Sequence, residues 1–416
     1  MEENKKRSGC VLGPGGAAEK STSPAAGQAS SGCAARRVMA GRGAAAPKGQ
    51  GQSTSGDEGA ADPGTPQAAP ARSRNAARQQ KRRAGREQLA LLSVCYLAQL
   101  LIGASQPFGL PAGQLLAVLA AGTLVQLAVY RLLAQRRLPA SPVWGWALAL
   151  LLCLNAGYDI VRADRFYRAV TAQELSFWWL TASMLLIGWY AARCGRPTVL
   201  RTALPVLAAL GASLLALALT GSLRLENLQP LQWHKANGGR MALVFLEYTF
   251  SAEPLLWLFW RAHPLQVAEA AAGGQARAGQ GAAALRWASA SVFAVLGELT
   301  LGSRFAGTPQ VFGVLSLVSA GADANHGGAL YHGVWLMALA VRVCAVCCTL
   351  REVCAGLLPK TPPLRRVLAE GAALLAAAAL WGLLWQRDCL TLLAAGALLL
   401  TGGALLTGKG KPNAQK

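Results

Sequence analysis

The sequence is short of charged and aromatic residues for a chain of its length. Only 14% of its 416 residues are charged and 7% are aromatic, whereas 53% are hydrophobic. A soluble domain carries about 25% charged residues, so this chain has too few to cover a water-soluble globule. The shortage excludes an ordinary soluble enzyme and indicates a membrane protein.

Acidic residues are scarce as well, because 19 Asp and Glu stand against 40 Lys and Arg and leave a formal net charge of +21. A strongly basic chain is typical of nucleic-acid binders. However, no aromatic residue interleaves with the basic cluster that runs from Arg72 to Arg86, and half of the chain is apolar. We therefore expect no nucleic-acid partner. The cluster directly precedes the first apolar run and favours the anionic membrane lipids of the cytoplasmic leaflet.

Residues 1–86 contain almost no large aliphatic side chains and are rich in Gly, Ala, Ser, Pro and basic residues. Such a segment cannot bury enough apolar surface to offset its ordering entropy, so it is predicted to be a disordered basic cytoplasmic tail. Residues 87–408 are predicted to form a polytopic membrane domain, and 409–416 a short basic cytoplasmic C-terminus.

The membrane domain contains ten apolar runs of about the 17–25 residues that a helix needs to cross a bilayer. They are predicted at 88–104, 112–134, 144–163, 174–193, 200–221, 241–260, 286–304, 329–350, 364–385 and 389–407. The stretch 307–327 holds Gly, Asp and Asn, and is predicted to be a loop helix beside the bundle. The prediction is an all-α integral membrane protein.

Lys and Arg concentrate on the connections that lie inside when the N-terminus is cytoplasmic, which fits the positive-inside rule. Examples are Arg137, Arg193, Arg286 and Arg366. The sequence therefore predicts a multi-pass protein with a cytoplasmic N-terminus, and it assigns Arg286 to a connection.

Ionisable residues within the predicted spans include Glu247, Glu253, Glu298, Arg342 and Glu370. Such residues are costly in lipid, and they face a cavity or a partner. Arg342 lies in the middle of the eighth span. Two interpretations stay open for it: an ion pair with a helix-packing carboxylate, or a fixed cation where related transporters use a mobile ion.

Two spans carry signs of a broken helix. The sixth holds Thr249, Phe250, Ser251 and Glu253 just before Pro254, and proline removes a backbone hydrogen bond. The first ends in Gly-Ala-Ser-Gln-Pro at 103–107. Broken helices at equivalent positions of two halves are typical of transporter binding sites, so a five-plus-five inverted repeat is predicted.

The order and spacing of several segments resemble the endospore germination permeases, the B subunits of spore nutrient-germinant receptors. The resemblance rests on 170–174 with Tyr190, Arg193, Gly195 and Arg201, on 226–231, on 248–253 and 311–319, and on 330–342 with Trp335 and Arg342. The chain departs from the family pattern at Phe250 and Ala252, where the family has Pro and Gly, and in its long basic tail.

This resemblance implies a LeuT-like ten-helix bundle in the bacterial cell membrane or spore inner membrane. It also implies that the protein senses an amino acid or similar nutrient together with an A-type membrane subunit and a C-type lipoprotein. No cofactor, metal or catalytic residue is expected.

The predicted binding site combines both breaks. Backbone amides at Gly103, Ala104 and Ser105 would face the nutrient carboxylate, and Thr249, Phe250, Ser251 and Glu253 would surround its ammonium. Arg342 and Glu298 are the predicted ion or coupling residues.

Two other functions stay open. One is an ordinary secondary transporter of amino acids or cations. The other is a membrane-embedded prenyltransferase-like enzyme, because Asn155, Asp159 and Asp164 faintly resemble an aspartate-rich magnesium–diphosphate site.

Overall fold

The computed structural model of the chain describes most of the membrane domain. The described residues are 71–103, 108–139, 141–171, 177–221, 223–227, 237–262, 272–309, 311, 314–315, 324–384 and 390–408. Within them the protein is almost entirely helical and contains no β-strand. The prediction of an all-α protein is therefore confirmed for this part of the chain.

Eleven α-helices have described bounds. They are α1 (Ala71–Gly103), α2 (Ala112–Ala134), α3 (Pro142–Thr171), α4 (Phe177–Cys194), α5 (Arg196–Thr220), α6 (Gly238–Thr249), α7 (Glu253–Ala262), α8 (Ala272–Leu301), α9 (Ala324–Leu357), α10 (Pro363–Leu383) and α11 (Leu390–Thr407). Short 3₁₀ turns occupy Leu225–Asn227 and Gly302–Gly307.

Each of the ten predicted spans coincides with a helix, and the sixth is divided between α6 and α7. Eight helices, with α6 and α7 taken as one, are long and apolar enough to cross a membrane. The first and fourth predicted spans, on α1 and α4, are not among these eight. The length and apolarity of these helices are compatible with an integral multi-pass membrane protein.

Helix α1 begins at Ala71, whereas disorder was predicted for residues 1–86. Residues 71–86 are rich in Ala, Arg, Gln and Lys, which are strong helix formers, and they extend the first apolar run as one helix. The rest of the predicted tail, the C-terminal 409–416 and most of the predicted loop helix at 307–327 lie outside the described residues.

Helix α9 is the central element of the bundle. It packs against α1, α3, α4, α5, α7 and α10, and 78% of its most apolar stretch is buried, against 22% in α5. The peripheral helices expose large apolar side chains such as Leu186, Leu219 and Leu399. Such a surface suits contact with lipid and would be unusual in water.

Candidate functional site

The helix that forms the sixth predicted span is broken at residues 250–252. Helix α6 ends at Thr249, where Phe250 N–H donates to Leu246 O at 2.9 Å. Helix α7 starts at Glu253, and Pro254 occupies its first turn, a position that tolerates the missing N–H of proline. The break exposes carbonyl groups at the end of α6 and amide groups at the start of α7.

The carbonyl groups at the end of α6 are satisfied by two buried side chains. Gln126 of α2 donates from Nε2 to the carbonyls of Tyr248 and Thr249, at 3.0 Å each. Arg286 of α8 donates from a terminal nitrogen to the Tyr248 carbonyl at 2.6 Å. Since an unsatisfied backbone group costs several kcal/mol in a lipid environment, these donors allow the helix to end inside the bundle.

Arg286 is held in an aromatic and polar clamp. Its guanidinium lies 3.9 Å from the ring centroid of Tyr248 and 4.6 Å from that of Tyr96, distances at which cation–π attraction operates. Its second terminal nitrogen donates to Gln99 Oε1 at 3.3 Å. The side chain is buried, so the assignment of Arg286 to a connection was wrong. The reason is that α8 extends fourteen residues N-terminal of it, to Ala272.

Three buried charges meet beside the break. Arg342 of α9 donates from Nε to Asp159 Oδ2 of α3 at 2.7 Å, and from a terminal nitrogen to Glu253 Oε1 of α7. The same terminal nitrogen donates to the Cys95 carbonyl of α1 at 2.9 Å. The three charged side chains are at most 2% exposed. One cation thus joins four helices and faces two carboxylates.

The two buried cations are linked through α1, because Arg342 contacts Cys95 and Arg286 contacts the next residue, Tyr96. The Tyr96 hydroxyl is 2.7 Å from the Tyr130 hydroxyl, which continues the polar contacts toward α2. Arg286 and Arg342 therefore lie on adjacent parts of one polar layer inside the bundle.

Several polar atoms at the break are buried without a hydrogen-bond partner among the described residues. They are Thr249 Oγ1, Ser251 Oγ, Glu253 Oε2 and Gln126 Oε1. Buried polar groups are nearly always hydrogen-bonded, to protein, water or ligand. Four such atoms within one break indicate a place where a small polar molecule would complete the hydrogen bonding.

Helices α2 and α6 approach closely at this break. A Cβ at Gly122 of α2 would lie 2.7 Å from Thr249 Oγ1 and 2.8 Å from Tyr248 Cδ1. At the next residue, the Thr123 hydroxyl donates to Leu119 O at 2.8 Å, so at 3.0 Å it accepts from the Tyr248 hydroxyl. The absence of a side chain at Gly122 is what permits this contact.

The structure places the remaining predicted site residues as follows. Phe250 lies half-buried within the break. Gly103 is the last residue of α1 and lies eight positions, or about 12 Å along the helix axis, from Cys95. Ala104 and Ser105 lie outside the described residues.

Glu298 is buried on α8, twelve positions and about 18 Å along the helix from Arg286. The structure therefore groups Thr249, Ser251, Glu253 and Arg342 at one break, with Phe250 beside them, and it places Gly103 and Glu298 farther along their helices.

Sequence reasoning missed three members of the cluster, namely Asp159, Gln126 and Arg286. Asp159 was considered only as part of a faint aspartate-rich pattern. Its Oδ2 accepts from Arg342, so that oxygen is engaged by a cation of the protein, whereas Asn155 Nδ2 donates to Leu151 O. A carboxylate one helical turn after a buried Asn, in an apolar span, was the available signal.

No family model matches the chain, and no curated protein matches its sequence.

Proposed function

We propose that the protein is a nutrient receptor or transporter of the membrane that binds a small zwitterionic molecule, of the amino acid class, at the break between α6 and α7. The observation that carries the proposal is the environment of Glu253. One of its oxygens accepts from Arg342, while the other has no hydrogen-bond partner among the described residues although the side chain is fully buried. An ammonium group would satisfy that oxygen.

The charges around Glu253 favour a cationic group. Asp159 and Glu253 share the single guanidinium of Arg342, so these three side chains together carry one excess negative charge. Arg286, the other cation of the polar layer, directs its hydrogen bonds to the Tyr248 carbonyl and Gln99. The hydroxyls of Thr249 and Ser251 can accept further hydrogen bonds from an ammonium. The sequence predicts that the ligand carboxylate meets backbone amides at Gly103, Ala104 and Ser105, but Gly103 lies about 12 Å along α1 from Cys95, farther than one α-amino acid extends, so that contact is not retained.

Arg342 supplies a permanent positive charge that connects α1, α3, α7 and α9. In the proposal it has the role that a mobile cation has in related transporters. A ligand ammonium at Glu253 would compete with the Arg342 guanidinium for that carboxylate and shift the equilibrium between two arrangements of these helices.

The resemblance to germination permeases extends the proposal. The helices would form a five-plus-five inverted repeat in the bacterial or spore inner membrane, and an A-type and a C-type subunit would read the ligand-bound state. An ordinary secondary transporter would use the same break, and it is distinguished by uptake of labelled amino acid into proteoliposomes.

The test is a thermal-shift screen of amino acids on the purified full-length protein. We expect at least one amino acid to raise the melting temperature. We also expect Glu253→Gln to weaken its apparent affinity about ten- to a hundredfold, which corresponds to loss of one charged hydrogen bond.

Glu247→Gln is the matched control, because Glu247 lies on α6 and accepts from Thr391 at 2.6 Å, away from the cluster. Thr249→Val is a second variant that leaves the Arg342 contacts in place. Equal affinity in wild type, Glu253→Gln and Thr249→Val would overturn the site assignment.

A further inference from the structure

An open apolar groove lies on the surface of the bundle between α4, α5 and α9. Its volume is about 310 Å³, and its walls include Ile187, Tyr190, Cys194, Val206, Met337 and Ala340. Among the described residues that line it there is no charged side chain. It is separate from the break between α6 and α7, which lies on the inner side of α9.

The walls of the groove are tied together by packing and hydrogen bonds. Cys344 Sγ lies 3.8 Å from Ile187 O and Cys348 Sγ lies 3.5 Å from Ala191 O. Arg351 donates to Ala192 O at 3.1 Å. These contacts fix α4 against α9 over two helical turns, so the groove is a preformed feature of the bundle.

The groove is elongated along the helices. Its lining residues extend from Ile187 to Cys194 on α4 and from Met337 to Cys344 on α9, which is about 10 Å of axis on each helix. Because Cys344 lies against Ile187, the α9 residues line the end away from Cys194. Taken end to end, the two stretches give a groove about 20 Å long, somewhat more than one leaflet of hydrocarbon, about 15 Å.

One end of the groove is basic. Cys194 lies beside Arg193 at the end of α4, and Thr202 lies beside Arg201 on α5; both Arg side chains are exposed. The Arg193 guanidinium lies 5.0 Å from the ring centroid of Trp189, one turn earlier on α4. Both Arg residues belong to a connection that the charge distribution places on the cytoplasmic side.

We propose that the groove binds one acyl chain of an anionic phospholipid, whose head group is held by Arg193 and Arg201. The apolar walls match an acyl chain, and the two cations match a phosphate. The cytoplasmic leaflet carries the anionic lipids that such a pair attracts. Arg196, in the same connection, is not assigned to the head group, because its guanidinium is paired with Glu352 Oε1 at 3.7 Å.

The test compares phosphatidylglycerol with phosphatidylcholine of the same acyl chains. Each lipid is added to the full-length protein in detergent, and the lipid retained is counted by native mass spectrometry and titrated by thermal shift. We expect phosphatidylglycerol to bind more tightly. The double variant Arg193→Gln and Arg201→Gln is expected to weaken that binding roughly 30-fold, whereas Arg365→Gln, exposed on α10, is expected to have no effect.

A second pair of variants tests the groove itself. Ala340→Phe fills it, whereas Ala208→Phe adds the same bulk at an exposed position of α5 outside the lining. We expect only Ala340→Phe to abolish the retained phosphatidylglycerol. The proposal would be overturned if both lipids bound equally, or if the two Phe variants did not differ. It would also be overturned if the protein were a dimer that Ala340→Phe dissociates, because the groove would then be a protein interface.

Discussion

At the scale of single residues, Arg342 is the side chain on which the interior depends most. It is 1% exposed and is shared by Asp159 and Glu253. Removal of one partner from a buried ion pair leaves an uncompensated charge, which costs about 3–5 kcal/mol. Removal of all the charges together avoids that penalty.

We therefore predict that Arg342→Met lowers the free energy of unfolding by about 3–5 kcal/mol, as measured by denaturant titration of the purified protein in detergent. The triple variant Arg342→Met, Asp159→Asn, Glu253→Gln is expected to recover most of the loss, because no unpaired charge remains. The buried ion pairs of Arg342 with Asp159 and Glu253 would be contradicted if Arg342→Met were as stable as wild type. They would also be contradicted if the triple variant were less stable than Arg342→Met.

A separate prediction concerns Arg286, because its guanidinium donates to a carbonyl at the end of α6 and forms no ion pair among the described residues. Arg286→Met is expected to destabilise the protein by about 1.5–3 kcal/mol, the loss of a hydrogen bond from a charged donor to the Tyr248 carbonyl. The control is Arg277→Met on the exposed face of the same helix. Equal melting temperatures for the two variants would contradict the capping role.

The residues of the break could be selected from the sequence because a charge in an apolar span and a proline beside polar residues are local signals. Glu253, Thr249, Ser251 and Arg342 were found in this way. Gln126 and Asp159 were not, since their importance comes from tertiary contacts with α6 and α9. Gln126 carries no charge that would mark it, whereas Asp159 is a carboxylate in an apolar span and carried the same kind of signal as Glu253.

At the scale of elements, the broken helix depends on how closely α2 approaches α6. Gly122→Ala would place a methyl group within 2.8 Å of Tyr248 and Thr249 atoms. We predict that it destabilises the protein by about 1–3 kcal/mol, the usual cost of overpacking. It is also expected to weaken nutrient binding, because Thr249 would shift.

The matched control is Gly211→Ala on α5, where nothing lies within 4 Å of the added methyl group. That substitution replaces Gly in a helix interior and is expected to be neutral or stabilising by up to about 1 kcal/mol. The comparison is made by thermal unfolding, and a Gly122→Ala variant that is as stable as Gly211→Ala would contradict the close packing.

Element positions were well predicted because each apolar run has a defined length and ends at Gly, Pro or charged residues. Element ends were predicted less well. Helices α1, α3, α8 and α9 each extend beyond the predicted span by several residues or more. The extensions are polar or rich in Ala and Gly, so hydropathy does not mark them, although the extension of α1 contains several strong helix formers.

At the scale of the whole molecule, the topology predicts which cysteines are accessible from each side. Cys194 is exposed at the end of α4, in a connection predicted to be cytoplasmic, and Cys389 is predicted to lie near an external end. We expect a membrane-impermeant maleimide to label Cys389 in intact cells, and Cys194 only after permeabilisation. Cys194→Ser and Cys389→Ser variants assign each signal, and labelling of Cys194 in intact cells would contradict the orientation.

The central claim is that a ligand ammonium occupies the break between α6 and α7. The most direct measurement is an electron cryo-microscopy structure of the full-length protein with the amino acid selected by thermal shift. We expect ligand density beside residues 249–253, with the ammonium within hydrogen-bond distance, about 2.7–3.2 Å, of Glu253 Oε2. Ligand density elsewhere in the bundle, with Glu253 still bound only to Arg342, would contradict it.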